Sequence, residues 1–327
     1  MSKKSMSRRD LLKTTAAATA AMALGPELAQ AQTDSPYDAK GLPTRKIGRT
    51  QTEVPRMAVG TGSRFCAAND EDAQEMLTYA LDHGLYYWDT AHVYVYDGVV
   101  SEERLGKVVK HRRKEIFLST KVTTRDPEQA KRDIEKSLER LQTDHLDILK
   151  IHDIQSMEDV DTIAKKDGLA DVLRSYRDQG VAKNIGFSGH TSAEAMASAA
   201  KRLGFDTMLM ALNHYQEGRE PFETHAVPTA VDHGLSVMVM KVVRPRETVE
   251  GLNPRDLIRY ALSIDGPTGC IVSSNTLDIL KQNIETLKNF KPMEEGELAK
   301  TRVALAPFYR HENLEWMRPG YRDGHWA

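Results

Sequence analysis

The chain has 327 residues, 40% of them hydrophobic and 28% charged, with a formal net charge of −2. Such a composition supplies a sizeable core for one large domain or two small ones, and no Lys/Arg block beyond the N-terminus suggests a nucleic-acid partner. The two cysteines, Cys66 and Cys270, exclude a Cys-rich zinc or iron–sulfur site and a disulfide scaffold.

Residues 1–31 read as a leader rather than as part of the fold. MSKKSMSRRDLLK is basic, TTAAATAAMAL is short and weakly apolar, and AQA before Gln32 is a small-residue cleavage site. An apolar run of about eleven residues is too short to span a membrane, which takes roughly twenty, so no stable membrane anchor is expected. Ser7-Arg8-Arg9-Asp10-Leu11-Leu12-Lys13 resembles the twin-arginine export signal. That resemblance implies the twin-arginine translocase as a partner during export, in the folded state and often with a cofactor inside, and a periplasmic location. The rival reading is the amphipathic start of a cytosolic protein.

After a polar linker over 32–43, TRKIGRTQTEV has the pattern of a small hairpin. Strand-like and helix-like segments then alternate. Strands are expected at 56–62, 85–89, 115–122, 146–153, 184–189, 207–213, 235–241 and 269–274, mostly as continuous apolar runs, as strands buried on both faces require. Among the helices, Ala73, Met76, Leu77, Ala80 and Leu81 recur at helical spacing, with Gly84 as a stop. Asp126-Pro127 and Asn253-Pro254 each supply an N-cap followed by proline at the first helical position. Eight such units predict an α/β chain folded as a (β/α)8 TIM barrel over 44–310, with a short N-terminal hairpin and a C-terminal helical extension. An open doubly wound sheet is the rival, but no glycine-rich dinucleotide fingerprint follows the first strand. The tail over 311–327 has aromatic and basic residues without a periodic stripe; it either folds over the barrel mouth or packs on the surface.

A barrel carries its chemistry at the C-terminal ends of its strands. The polar residues there are Asp89, Lys121, His152, Ser188, His190, Asn213, His214, Lys241, Ser273, Ser274 and Asn275. Lys121 and His152 interrupt or end apolar runs, and burying a lone charge is unfavourable unless it is paired. Asp89 and Lys121 come from adjacent strands and are expected to pair.

Asp-Thr-Ala-x-x-Tyr at 89–94, a lysine ending the next strand and a histidine ending the one after resemble the aldo-keto reductases. SEERLGKVVK, DGLADVLRSYRDQGVAKNIGFSGHT and DILKQNIETL extend the resemblance over nearly the whole chain after the leader. It implies reversible reduction of an aldehyde or ketone, a sugar-derived carbonyl being the expected class, by hydride from a nicotinamide cofactor. The implied roles are Tyr94 as general acid/base, Lys121 as the charge that tunes it, Asp89 as the anchor of the lysine, and His152 as the group that orients the carbonyl. A free tyrosine has a pKa of about 10, and a nearby ammonium is expected to lower it.

The implied cofactor-binding residues are Gly62, Ser188, Gly189, Asn213, Lys241, Ser273, Ser274 and Asn283. The family's Ser-Asn after strand five reads Ser188-Gly189 here, followed by His190. Ser273 and Ile279 stand where NADPH-preferring members carry cations, leaving Arg244 or Arg246 to supply charge; the cofactor is NADP or NAD. Two other classes stay open. His92, His152, His190 and His214 at one mouth suit a metal-dependent hydrolase, although the first strand lacks His-x-His and no metal is assigned. A barrel that binds a small molecule without turnover is the other. Cys66 and Cys270 lie on neighbouring elements, as a bridge or as free thiols.

Overall fold

The computed structural model describes residues 35–211, 222–247, 249–308, 313–317, 321 and 323–324. Residues 1–34, which include the leader, and Asn213 and His214 lie outside the described residues, whereas Asn275 is within them. Thr44–Ile47 (β1) and Thr52–Pro55 (β2) pair antiparallel as the expected hairpin. The barrel strands follow as Met57–Gly60 (β3) and Tyr87–Asp89 (β4). Val95–Tyr96 (β5) and Val99–Val100 (β6) form a second, unanticipated hairpin just after Tyr94. Then come Phe117–Val122 (β7), Leu146–Ile154 (β8), Ala182–Gly189 (β9), Thr207–Ala211 (β10), Ser236–Met240 (β11) and Gly269–Ser273 (β12).

Eight of these strands, in the order β10-β11-β12-β3-β4-β7-β8-β9, close into a parallel barrel with helices between them. The apolar runs are buried on both faces because barrel packing covers one side and the helical ring the other. Helix starts obey local chemistry. Asp126 accepts from the Gln129 N–H ahead of helix Pro127–Leu141, and Asn253 accepts from the Arg255 N–H ahead of helix Pro254–Ser263.

One irregularity matters for the mouth. Ile151 of β8 pairs with Phe187 of β9, but Ile154 pairs with Gly189, so β8 carries one extra residue at His152-Asp153. A bulge re-aims side chains that strict alternation would send to opposite faces. The two thiols are buried and free.

At the opposite end of the barrel, Asp147 accepts from Tyr37 Oη (2.9 Å), Lys183 Nζ (2.8 Å), Arg113 Nη2 (2.9 Å) and the Leu118 N–H (2.8 Å). Burial opposes its charge, but Arg113 and Lys183 hold the carboxyl below the usual aspartate range. A depressed folded-state pKa contributes stability above the unfolded value, about 3.9, and loses it as pH falls through the folded one. The urea midpoint is expected to drop as the pH is taken below ~4, and to change less with pH in Asp147→Asn. Equal pH slopes for the two chains would show that Asp147 does not carry this linkage.

Candidate active site

Asp89 is the last residue of β4 and lies inside the C-terminal rim. Its Oδ2 accepts from Lys121 Nζ at 2.5 Å, and its Oδ1 accepts from Lys150 Nζ at 2.7 Å and Ser119 Oγ at 2.9 Å. The register explains the meeting: Asp89 pairs with Ser119, and Lys121 with Lys150. Both lysines are 1% exposed, so one carboxylate sits between two buried ammoniums. Burial pushes the Asp89 carboxyl up, but Lys121 and Lys150 more than offset this and hold it below the usual range. Burial lowers the pKa of both lysines, with Asp89 opposing the shift. Lys150 is a site residue that the motif did not single out. The signal was there in LDILKIHD: a lysine inside an apolar strand, two residues from His152 and one step of the period-two pattern away from it.

Tyr94 is fixed by a tight turn, its N–H bonded to Ala91 O at 3.0 Å and its carbonyl accepting from the Ser101 N–H at 2.9 Å. Lys121 Nζ donates to Thr90 O at 2.6 Å and to Tyr94 Oη at 3.4 Å. The sequence led us to expect a tyrosine made more acidic by this lysine. In this structure the opposite holds: burial first, then the negative charges of Asp323 and Asp89, push the hydroxyl well above its ordinary value.

Asp323 is the second residue that sequence pattern did not single out, since the tail around it carries no periodicity. It is 4% exposed and reaches into the mouth. Tyr94 Oη donates to its Oδ2 at 3.2 Å, and His152 Nε2 lies 3.3 Å from the same oxygen. Its Oδ1 accepts from Tyr321 Oη at 2.5 Å and Lys241 Nζ at 2.9 Å. Burial opposes its charge, but Lys241, His190 and His152 hold the carboxyl well below the usual range. Gly324, at φ +94°, permits the approach: a Cβ there would lie 2.6 Å from Val93 Cγ2. Of the two readings of the tail, Asp323 supports the one that brings it over the mouth.

His152 is buried, which lowers its pKa and favours the neutral ring. Its Nδ1 has no hydrogen-bond partner, so Nε2 is able to carry the proton or to offer a lone pair. His190, directly after β9, is held by Asp153 Oδ2 at 2.9 Å from its Nδ1. His92 does not join them. Its Nδ1 meets Ser137 Oγ at 3.1 Å, and it faces Glu102 and Asp133 instead.

A cleft of about 690 Å³, counting its open mouth, runs beside Asp89 and Tyr94. Gly62, Lys241 and Ser273 line it, together with Arg64, Arg244 and Asp323. Four other candidate cofactor residues are not among its lining. Ser188 is buried with its Oγ toward Ile151 O at 3.4 Å. A Cβ on Gly189 would meet Met196 Sδ at 2.3 Å, so helix packing accounts for that glycine. Asn283 Nδ2 donates to Ser274 Oγ at 3.2 Å, and both are buried.

A sequence model described as the aldo/keto reductase family matches residues 56–245, and one for the twin-arginine translocation pathway signal sequence matches residues 5–25. An uncharacterized oxidoreductase of Bacillus subtilis is 28% identical over 217 residues, covering 59% of this chain and 64% of its own length. A D-threo-aldose 1-dehydrogenase of a Pseudomonas species is 27% identical over 216 residues, covering 57% and 64%. The chain thus spans 64% of the length of each of these relatives. An aldo-keto reductase from Klebsiella pneumoniae, solved in complex with NADPH, has a TM-score of 0.64 at 22% identity. It covers 84% of this chain and 99% of its own, a likeness of fold.

Proposed function

The chain belongs to the aldo/keto reductase family, and from that membership we propose that it reversibly reduces a sugar-type aldehyde or ketone with hydride from a nicotinamide dinucleotide. The observation that carries the proposal is the unbroken contact from Asp89 through Lys121 to Tyr94, with His152 facing the same point. The sugar class draws on the aldose dehydrogenase among its relatives.

The lining of the cleft beside Tyr94 suits an anionic cofactor. Gly62, Arg64, Lys241, Arg244 and Ser273 line it, giving cations and hydroxyls for phosphate and ribose oxygens. This set suits NADP or NAD, and residues from the loops after β3 and β11 and from the end of β12 would hold either one. Bound there, the nicotinamide supplies or accepts the hydride.

Everything else is done by the chain's own groups. A carbonyl that gains hydride becomes an alkoxide and takes a proton, which the Tyr94 hydroxyl donates. With Asp323 beside it that proton is held tightly. Asp323 Oδ2 stands between Tyr94 Oη and His152 Nε2, where a carbonyl oxygen would accept from both, so the tail carboxylate gives way to substrate. Removing that negative charge takes away one of the causes that raise the Tyr94 pKa, with Lys121 still beside the hydroxyl, and eases proton release. Asp89 keeps Lys121 in place, and His152 donates from Nε2 to orient the carbonyl.

The leader directs the folded chain to the twin-arginine translocase and to the periplasm. Among the described residues no helix is long and apolar enough to cross a membrane. Chain purified from the exported fraction is expected to release a nicotinamide dinucleotide on denaturation, identified by mass spectrometry, and to reduce aldoses when given reduced dinucleotide. Failure of the exported and the cytoplasmic chain alike to bind either dinucleotide, with no carbonyl turnover, would overturn the reading.

A further inference from the structure

His152, His190 and Asp323 each present a ligand atom at the barrel mouth, all within 4.8 Å of one another and all buried. Their chemistry is not used up by their neighbours. His152 Nδ1 and Nε2 and His190 Nε2 are buried without a hydrogen bond, a condition that native interiors rarely tolerate. The two Nε2 atoms lie 3.3 Å and 3.7 Å from Asp323 Oδ2, the first at the long edge of a hydrogen bond and the second beyond it. Three ligand atoms converge on one point.

We propose that His152, His190 and Asp323 bind a divalent transition-metal ion of the Zn²⁺ class. Ligands at about 2.0–2.2 Å from a tetrahedral ion stand roughly 3.3 Å apart, close to both nitrogen–oxygen separations, and with all three ligand atoms within 4.8 Å of one another, binding draws the two imidazoles closer together. Two imidazoles and one carboxylate select a borderline cation over Ca²⁺ or Mg²⁺ and leave a coordination position open.

The surroundings are built for such a site. His190 Nδ1 meets Asp153 Oδ2 at 2.9 Å, which turns Nε2 to the common point, and Gln155 Nε2 fixes the other oxygen of Asp153 at 3.0 Å. A carboxylate behind a ligating histidine sets its tautomer and raises its basicity. Asp323 is oriented the same way, with Lys241 and Tyr321 on Oδ1, while Oδ2, which also accepts from Tyr94 Oη at 3.2 Å, faces the histidines. The extra residue in β8 accounts for His152 and its neighbour Asp153 both serving this mouth.

An ion here ties the tail to β8 and to the end of β9, and it occupies the place of the carbonyl oxygen in the reaction proposed above. The binding test does not depend on that reaction. Full-length chain stripped with a chelator is titrated with Co²⁺ and followed by its visible d–d absorption, with Zn²⁺ as competitor. One Co²⁺ per chain is expected, displaced by one Zn²⁺, with affinity at least 100-fold weaker in His190→Gln and in Asp323→Asn. Asp153→Asn is expected to weaken it 10–100-fold, with the thermal midpoint of each metal-free variant checking that it is folded. Should a ligand variant not fold, Asp153→Asn and the remaining variant decide. No stoichiometric Co²⁺ spectrum, or equal affinity in the folded variants, would overturn the site. Carbonyl reduction by the metal-free chain is measured separately, so loss of the reductase reading and loss of the metal site are told apart.

Discussion

Tyr94→Phe is expected to lower kcat for carbonyl reduction by roughly 10²–10⁴-fold, the range for a positioned proton donor. The substitution removes one oxygen, with its bonds to Asp323 and Lys121, and leaves the ring in place. Lys121 keeps Asp89 Oδ2 at 2.5 Å and Thr90 O at 2.6 Å, so its charge stays paired. Loss of the hydroxyl's own bonds costs about 1 kcal/mol of stability. Steady-state kinetics with a saturating dinucleotide, beside a thermal melt, separates the two effects. A kcat within a few-fold of the parent's would remove Tyr94 from the proton transfer, and a collapsed melt would point to a structural role instead.

The largest effect on stability is expected from Asp89→Asn. Asp89 is the carboxylate that both Lys121 and Lys150 contact, at 2.5 Å and 2.7 Å. Neutralising it leaves two ammoniums facing each other in the barrel interior, and removing one partner of a buried ion pair costs about 3–5 kcal/mol. Lys150→Met makes the contrast. It deletes one of the two positive charges, fills similar volume, and leaves Asp89 with Lys121 and Ser119; the expected change is within ~1 kcal/mol of the parent in either direction. Urea unfolding of the three chains distinguishes them. A loss of less than about 1 kcal/mol in Asp89→Asn would mean that the lysines find another counter-charge or give up their protons.

The barrel and its rim were legible because they rest on local rules. Apolar runs without alternation mark strands covered on both sides, and Asx-Pro pairs mark helix starts. Asp89, Tyr94, Lys121 and His152 follow one another along the chain, so order and strand ends were enough to bring them together. Lys150 was visible but hidden in an apolar strand, and only the pairing of Lys121 with Lys150 shows that it shares Asp89. Asp323 could not be read at all. It lies 229 residues from Tyr94, in a stretch with no periodic pattern. Missing it also reversed the expectation for Tyr94, whose acidity in this structure is governed by burial and that carboxylate more than by Lys121. Ser188, Gly189, Ser274 and Asn283 were named from family resemblance, and resemblance does not specify which way a rim side chain faces.

The one-residue slip in β8 makes this stretch intolerant of length change in a way that the rest of the strand is not. His152 and Asp153 answer to different neighbours, the first to Tyr94 and Asp323, the second to His190. A substitution here alters one residue's contacts and leaves the other's in place. A single-codon deletion would instead restore regular alternation, send one of the two outward among the helices, and separate functions that share a rim only because the ladder is out of step.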